Sequence, residues 1–362
     1  MTNWEIAAMR YWFYRSVIVL LLCFWPCVVS AQTAEAKLAA LEKLPAQERQ
    51  QKVYELAKGE GEAVIYANMD VSAMKPLTDG FTTRYPGTKA ASVHFSGAAI
   101  ITRLESEARA GKPLSDVVLS GQLGVLALID KKIALRYRSP EREFFRVGLK
   151  DQDGLWTAYM TNVMVSAFNT RQVKKDEAPR NVNDLLNARW KGKLTMDSQS
   201  YVWFGTMLQY LGEEAGVRFM KRLNEQNISH QRGRRLMTQL VAAGEFDMAV
   251  ETNLNSVLTL AKQGAPLSFA PVQPYFLSPS LVFMSANAPH PYTAALFIDF
   301  LLSEEGQKIV VSTNRMPANS KVKSPESQIL EGQDVRTPDI FDIGKNYQAI
   351  GRRYQEIFTG AR

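Results

Sequence analysis

Cysteine and histidine are nearly absent from this 362-residue chain, with two of the first and three of the second. Both cysteines, Cys23 and Cys27, fall in one apolar run near the start. The chain beyond residue 31 therefore has no thiol, which excludes disulfides, thiolate nucleophiles and thiolate metal sites from its body. The histidines His94, His230 and His290 stand far apart. Among catalytic signatures, GxSxG, HExxH, the P-loop and a GxGxxG turn after a strand are all missing. The acidic residues are scattered, and no pair of them reads as an acid and its base. Enzyme chemistry is thus not what the residues offer. After residue 31 no apolar run is long enough to cross a bilayer. The net charge is +7, but its basic clusters are short: Lys131-Lys132, Lys174-Lys175, and Arg232 with Arg234-Arg235. None is interleaved with aromatics as a nucleic-acid groove would be.

What is present begins with a leader pattern. Arg10 and Arg15 precede the apolar stretch Val17 to Val29, and Val29-Ser30-Ala31 places small residues before Gln32. The pattern is that of a cleaved secretory signal, residues 1–31. A cysteine-free exported body must rest on a large apolar core, and 46% hydrophobic residues supply one. Residues 32–58 read as a helical arm broken at Pro45, packed on the body.

From Gly59 strands and helices alternate. EAVIYA (62–67), AASVHF (90–95) and DVVLS (116–120) read as strands, each followed by a helical pattern. The third of those helices is GQLGVLALIDK. A second unit starts at VMVSAF (163–168) and continues through strands at 194–196, FDMAV (246–250), LSFAP (267–271) and SLVFMSA (280–286). The stretch NVNDLLNARW reads as a helix, PYTAALFIDFLLSEEGQKIV as a helix pair, and 341–358 as a last helix. The fold class is α/β, with parallel sheets covered on both faces.

In such sheets, ligands bind outside the carboxyl ends of the strands. There the sequence places Asn68 and Met69, then Ser96 and Gly97, then Ser120 and Gly121. A hydroxyl followed by glycine at a helix start lets a ligand approach free N–H groups, although a plain N-cap has the same pattern. The second unit offers Asp197, Ser200, Tyr201 and Trp203 in MDSQSYVWF, Arg234 in QRGRR, and Glu251 and Asn253 in FDMAVETNLN. Aromatic rings beside small polar groups suit a cleft wall, and an arginine there suits an anion.

Taken in order and spacing, GEGEAVIYAN, GKPLSDVVLSG, NARWKGKLTMD, LVAAGEFDMAV, KQGAPLSF and APHPYTAALFIDFLLSEEGQKIV resemble one family. The chain is similar to ABC-transporter periplasmic solute-binding proteins of the iron(III) type. The resemblance spans about 250 residues by order of magnitude, Gly59 to Val311. It implies a two-lobe periplasmic-binding-protein fold of type 2, each lobe a mixed, mostly parallel sheet flanked by helices, with a hinge and a central cleft. The implied lobes are 59–159 with 275–315, and 160–274 with 316–362. The implied hinge crossings lie near Trp156–Val163 and Pro271–Leu281.

The resemblance also carries a discrepancy. Iron-binding relatives keep adjacent tyrosines where this chain has Thr252, Asn253 and Leu254. The first-lobe loops, at Asn68-Met69 and Ser120-Gly121, lack the expected acid and histidine. Fe(III) is a hard cation that wants anionic oxygen, and these residues supply none. The expectation is therefore a monomeric periplasmic binding protein for a small organic or anionic metabolite, delivered to a membrane permease, with no cofactor and no turnover. Binding of Fe(III) or its chelate is the alternative, followed by an enzyme or a sensor on the same scaffold.

Overall fold

The structure, a computed structural model, describes residues 33–121, 129 and 131–360. The expected leader and most of the helix expected over GQLGVLALIDK lie outside the described residues. The rest folds around one sheet, described here in chain order. Two arm helices, α1 (Ala34–Ala39) and α2 (Ala46–Ala57), flank Pro45 as the sequence predicts. Next come β1 (Glu62–Ala67), α3 (Val71–Arg84), β2 (Lys89–His94), α4 (Gly97–Ala110), β3 (Val117–Gly121), β4 (Ala134–Leu135) and the long β5 (Thr157–Asn169). The second unit gives β6 (Leu194–Asp197), α5 (Tyr201–Leu211), α6 (Glu213–Asn224), β7 (Ser229–Gln231), α7 (Arg234–Ala243), β8 (Met248–Asn253), α8 (Leu254–Lys262) and β9 (Leu267–Phe269). The chain then returns through β10 (Tyr275–Ser285), α9 (Pro291–Leu302) and α10 (Glu304–Ser312). The tail adds β11 (Met316–Pro317), α11 (Pro325–Ile329), β12 (Val335–Arg336), α12 (Ile340–Lys345) and α13 (Tyr347–Phe358).

The spine of the 12-stranded sheet runs β2-β1-β3-β10-β5-β8-β6-β7. Strands β1, β2 and β3 are mutually parallel, as are β6, β7 and β8. Between these two groups lies the antiparallel pair β5 and β10. Its register locates everything else. Gly121, the last residue of β3, is level with Ser280 and hence with Met160. Asn253, the last residue of β8, is level with Met164 and hence with Phe276. The two parallel groups approach this pair from opposite directions and stop four residues apart. That leaves a gap of roughly 13 Å at about 3.3 Å per residue. The carboxyl ends of both groups thus face the same short stretch, Met160–Met164 with Phe276–Ser280.

Burial forms two clusters that cut across this division, the first also taking in Met237, Ala249 and Leu254 of the second unit. One apolar cluster gathers β1, β3, the arm and α9, and a second gathers β6, α5, α6 and α13. Helix α9 is apolar on every side and buried along its length, as a helix between layers must be. Pro291 opens it at a position where no backbone donor is lost. Its turn into α10 needs Gly306, where a Cβ would stand 2.1 Å from the Phe300 carbonyl oxygen. The arm is fastened by a buried ion pair, Arg49 to Asp299 at 3.2 Å, with Tyr137 Oη accepting a further bond from Arg49 at 2.7 Å.

Three local expectations are corrected. The helix expected over NVNDLLNARW is two short 3-10 turns, Val182–Leu186 and Ala188–Trp190. Asn181, Asp184 and Asn187 bond nearby backbone N–H groups there and compete with the α-helical ladder. Strand β10 starts at Tyr275 and not after Pro279. The proline is tolerated because the ladder shifts register beside it, at Ser280/Leu281. The last helix is broken at Asn346 into α12 and α13.

Candidate functional site

On the first side of the gap, the strand ends carry small neutral groups. Asn68 is exposed, and its side chain makes no hydrogen bond among the described residues. Its amide nitrogen would lie 3.9 Å from a Cβ at Gly121, and the Ser120 hydroxyl 3.8 Å from one at Gly97. Asn68, Gly97, Ser120 and Gly121 are therefore neighbours. Ser96 caps α4, its Oγ accepting from Ala99 N at 3.4 Å. Ser120 is 1% exposed, and its Oγ has no partner among the described residues. A buried hydroxyl left unbonded costs about 1–3 kcal/mol, so its presence is informative. Met69 serves a different purpose from the one expected. It is buried, its sulfur accepts from Tyr159 Oη at 3.3 Å, and its carbonyl oxygen lies 2.8 Å from His94 Nδ1. Its side chain supports the wall from within.

On the second side the groups are charged and bound to one another. Glu251, at the end of β8, is 1% exposed at its side chain. Ser200 Oγ donates to one of its carboxylate oxygens. Arg234 Nε donates to the other at 2.7 Å. Ser200 sits at the N-cap of α5 yet makes no capping bond, because its hydroxyl goes to Glu251. Both Glu251 oxygens are bonded and its side chain is buried, so it is placed to hold Arg234 instead of meeting a ligand. Its charge holds the Arg234 guanidinium above its ordinary value, against the effect of burial. Arg234 opens α7 behind Gly233, which provides no side-chain cap. It is 32% exposed at its side chain, and its two terminal nitrogens have no partner among the described residues. This is a cation fixed at one edge and open at the other, the geometry suited to a carboxylate or phosphate.

The remaining candidates fall around it. Asp197 Oδ1 accepts from Gln199 N at 2.9 Å, and its carbonyl accepts from Tyr354 Oη at 2.7 Å. Tyr201 is half-buried, 5.5 Å from the Tyr347 ring, and its Oη accepts from Gln355 at 3.0 Å. Burial, with Tyr201 beside it, raises the Tyr347 phenol. Trp203 is buried in the second apolar cluster instead of lining the gap. Two residues along a helix is more than half a turn, so Tyr201 and Trp203 cannot share a face. Asn253 begins α8 without a capping bond, and its amide is half-buried and unpaired among the described residues. Thr252 is buried with its hydroxyl 2.7 Å from that of Thr238, and Leu254 is core.

Sequence reasoning missed three residues. Asn162 and Ser278 face each other across the hinge pair, each half-buried amid buried neighbours. An asparagine in the middle of the strand run YMTNVMV was the available signal. Arg315 lies in the turn before β11. Asp70 is held below the usual carboxylate range by the Ser72 hydroxyl and the Ala73 N–H, with the Arg315 charge adding to them. Nothing near Arg315 in sequence marks it.

The fold has counterparts among solved structures. A ferric ion-binding protein A from Pasteurella haemolytica, in its apo form, superposes with TM-score 0.71 at 20% identity, covering 82% of this chain and 97% of its own. AfuA of Actinobacillus pleuropneumoniae, with fructose-6-phosphate bound, gives 0.68 at 21%, covering 84% and 100%. The Trichodesmium protein IdiA (FutA), in complex with iron and citrate, gives 0.71 at 19%, covering 82% and 99%. At these identities the likeness establishes the fold, which is the two-lobe architecture of periplasmic binding proteins. No curated protein matches the chain in sequence. A family model, bacterial extracellular solute-binding protein, matches residues 124–346. That span is more than half of the chain, which belongs to the bacterial extracellular solute-binding protein family.

Proposed function

We propose that this protein is the solute-binding component of an ABC import system, capturing a small organic anion between its lobes and handing it to an inner-membrane permease. The observation that carries the reading is Arg234, anchored through Nε by the buried Glu251 and unpaired at its two terminal nitrogens among the described residues. The anionic group of the ligand sits on that free edge. Glu251 and Ser200 are positioning residues that aim the guanidinium. Asn68, Ser120, Asn253 and Asn162 read the neutral part through amides and a hydroxyl. Tyr201 and Tyr347 supply a ring wall. The gap of about four residues between opposing strand ends supports a ligand of metabolite size.

Residues 1–31 are the export signal in this reading, and the periplasm is the destination. The lobes comprise 59–159 with 275–315, and 160–274 with 316–362. Packing of α13 on α5 and α6 supports the return of the tail to the second lobe. The protein works as a monomer and a binding module, without turnover or cofactor. The iron reading draws on the likeness to ferric-binding structures. Iron would have to arrive as a chelate with its carboxylates on Arg234, because the Thr252 hydroxyl is committed to Thr238 and Leu254 lies in the core.

A thermal-shift and calorimetric screen tests this. It uses inorganic phosphate, citrate, sugar phosphates, Fe(III)-citrate, and neutral sugars and polyamines as controls. A ligand at 100 times its dissociation constant adds about 2.7 kcal/mol. Stabilisation by an organic anion supports the reading. A response to Fe(III) salt alone with a coloured complex, or to the neutral and cationic controls only, overturns it. So does consumption of the bound compound.

A further inference from the structure

The tail crosses the hinge in a way that the binding function does not require. Strand β11 pairs with the outer edge of β5 at Met160 and Thr161, on the side where β8 also pairs. Strand β12 pairs with the outer edge of β10 at Tyr275 and Phe276, on the side where β3 also pairs. Residues 316–336 therefore run from one edge of the hinge pair to the other, as a strap over one face. That face carries Thr161, Val163 and Leu277, all buried. The opposite face carries the half-buried pair Asn162 and Ser278.

Beneath the strap lies a cavity of about 390 Å³, bounded by Thr161 and Leu277 of the hinge strands and by the strap itself. This volume lies within the usual range for small-molecule sites. The lining is mixed, with Leu149, Ala318 and Leu330 beside Asn319, Ser327 and Gln333. Its charges are three. Lys323 and Glu331 pair with each other at 2.6 Å. Arg146 is exposed and has no partner among the described residues. The net offering is a chamber of mixed lining with one guanidinium left unpaired among the described residues.

We propose that this cavity is a second binding site, for a small monocarboxylate, and that its occupancy favours closure of the lobes. The coupling follows from placement. Bending the hinge toward the Asn162 face widens the strap face, and opening narrows it. A molecule filling the chamber resists the narrowing, and a ligand that prefers one arrangement shifts the equilibrium toward it. The coupling rests on the two-lobe binding reading, whereas occupancy of the chamber does not.

The test is a ¹⁹F NMR titration of the purified protein with 4-fluorobenzoate, with small-angle scattering at saturation. The expected result is saturable binding, weakened about tenfold by Arg146→Gln through loss of a charge-assisted bond. Ala318→Leu, which fills the chamber, abolishes it, and Arg234→Gln leaves it unchanged. The radius of gyration falls on saturation in the native protein, and in Arg146→Gln it falls only at about tenfold higher acid concentration. Non-saturating shifts, or equal binding by native protein and Arg146→Gln, overturn the site. Loss in Arg234→Gln alone places the acid in the cleft and also overturns it. Saturation without a change in radius overturns the coupling.

Discussion

Where β3 ends, Ser120 keeps a buried hydroxyl without a partner among the described residues; where β8 ends, both Glu251 oxygens are bonded. Both strand ends border the same gap and follow the same rule of parallel sheets. They differ in what is finished before a ligand arrives. The second side is a closed circuit of Ser200, Glu251 and Arg234 with one open edge. Its charge is preorganised, so a ligand meets a guanidinium that need not be ordered on binding. The first side is neutral, and its groups wait. Asn68 is exposed and Ser120 has no partner among the described residues, so each has a bond to offer to whatever fills the gap. The charged side sets what class of ligand is admitted, and the neutral side sets which member is preferred.

Arg234→Gln breaks the charged side and carries the largest expected effect. Losing charge-assisted bonds to an anion weakens binding by about 2–3 kcal/mol, roughly 30- to 150-fold, by calorimetry. The same change strands Glu251, so the melting temperature also falls. The double variant Arg234→Gln with Glu251→Gln recovers stability and not binding, which separates the two roles. Glu251→Gln alone comes next. It costs about 1–3 kcal/mol in stability by denaturant titration and weakens binding less than Arg234→Gln. A larger loss of binding in Glu251→Gln would make it a ligand group, contrary to its burial.

Ser120→Ala tests the neutral side. One hydrogen bond of about 1 kcal/mol predicts an affinity loss of about fivefold. Stability should hold or rise, since an unsatisfied buried hydroxyl is removed. A fall in stability with unchanged affinity would make Ser120 a structural residue. The smallest effect concerns pH. His230, beneath Asp197, has its imidazole lowered by burial. A folded value below the unfolded one, about 6.5, means the unfolded state binds the proton more readily. Its contribution is complete above pH 6.5 and is lost as pH falls below that. His230→Gln should flatten this part of the melting-temperature profile, and an unchanged slope would assign it to other groups.

The α/β alternation was legible because strand and helix periods are local, and strand ends predict site positions through topology alone. Asn68 and Ser120 were assigned to strand ends in this way, and Arg234 to a helix start. The roles of Glu251 and Met69 were not legible, since an acid or a thioether at a strand end reads the same whether it faces a ligand or a buried partner. Only Ser200 and Arg234, brought from 51 and 17 residues away, reveal which. Trp203 was misplaced because aromatic clustering was read without its helical phase. The tail strap was invisible for another reason. Strands β11 and β12 are two residues each and carry no periodicity.

The most direct test of the central claim is a paired thermal-shift titration, native protein against Arg234→Gln, with the strongest organic anion from the screen. The account predicts a concentration-dependent rise in melting temperature in the native protein that is abolished in the variant. An equal rise in both proteins would contradict it.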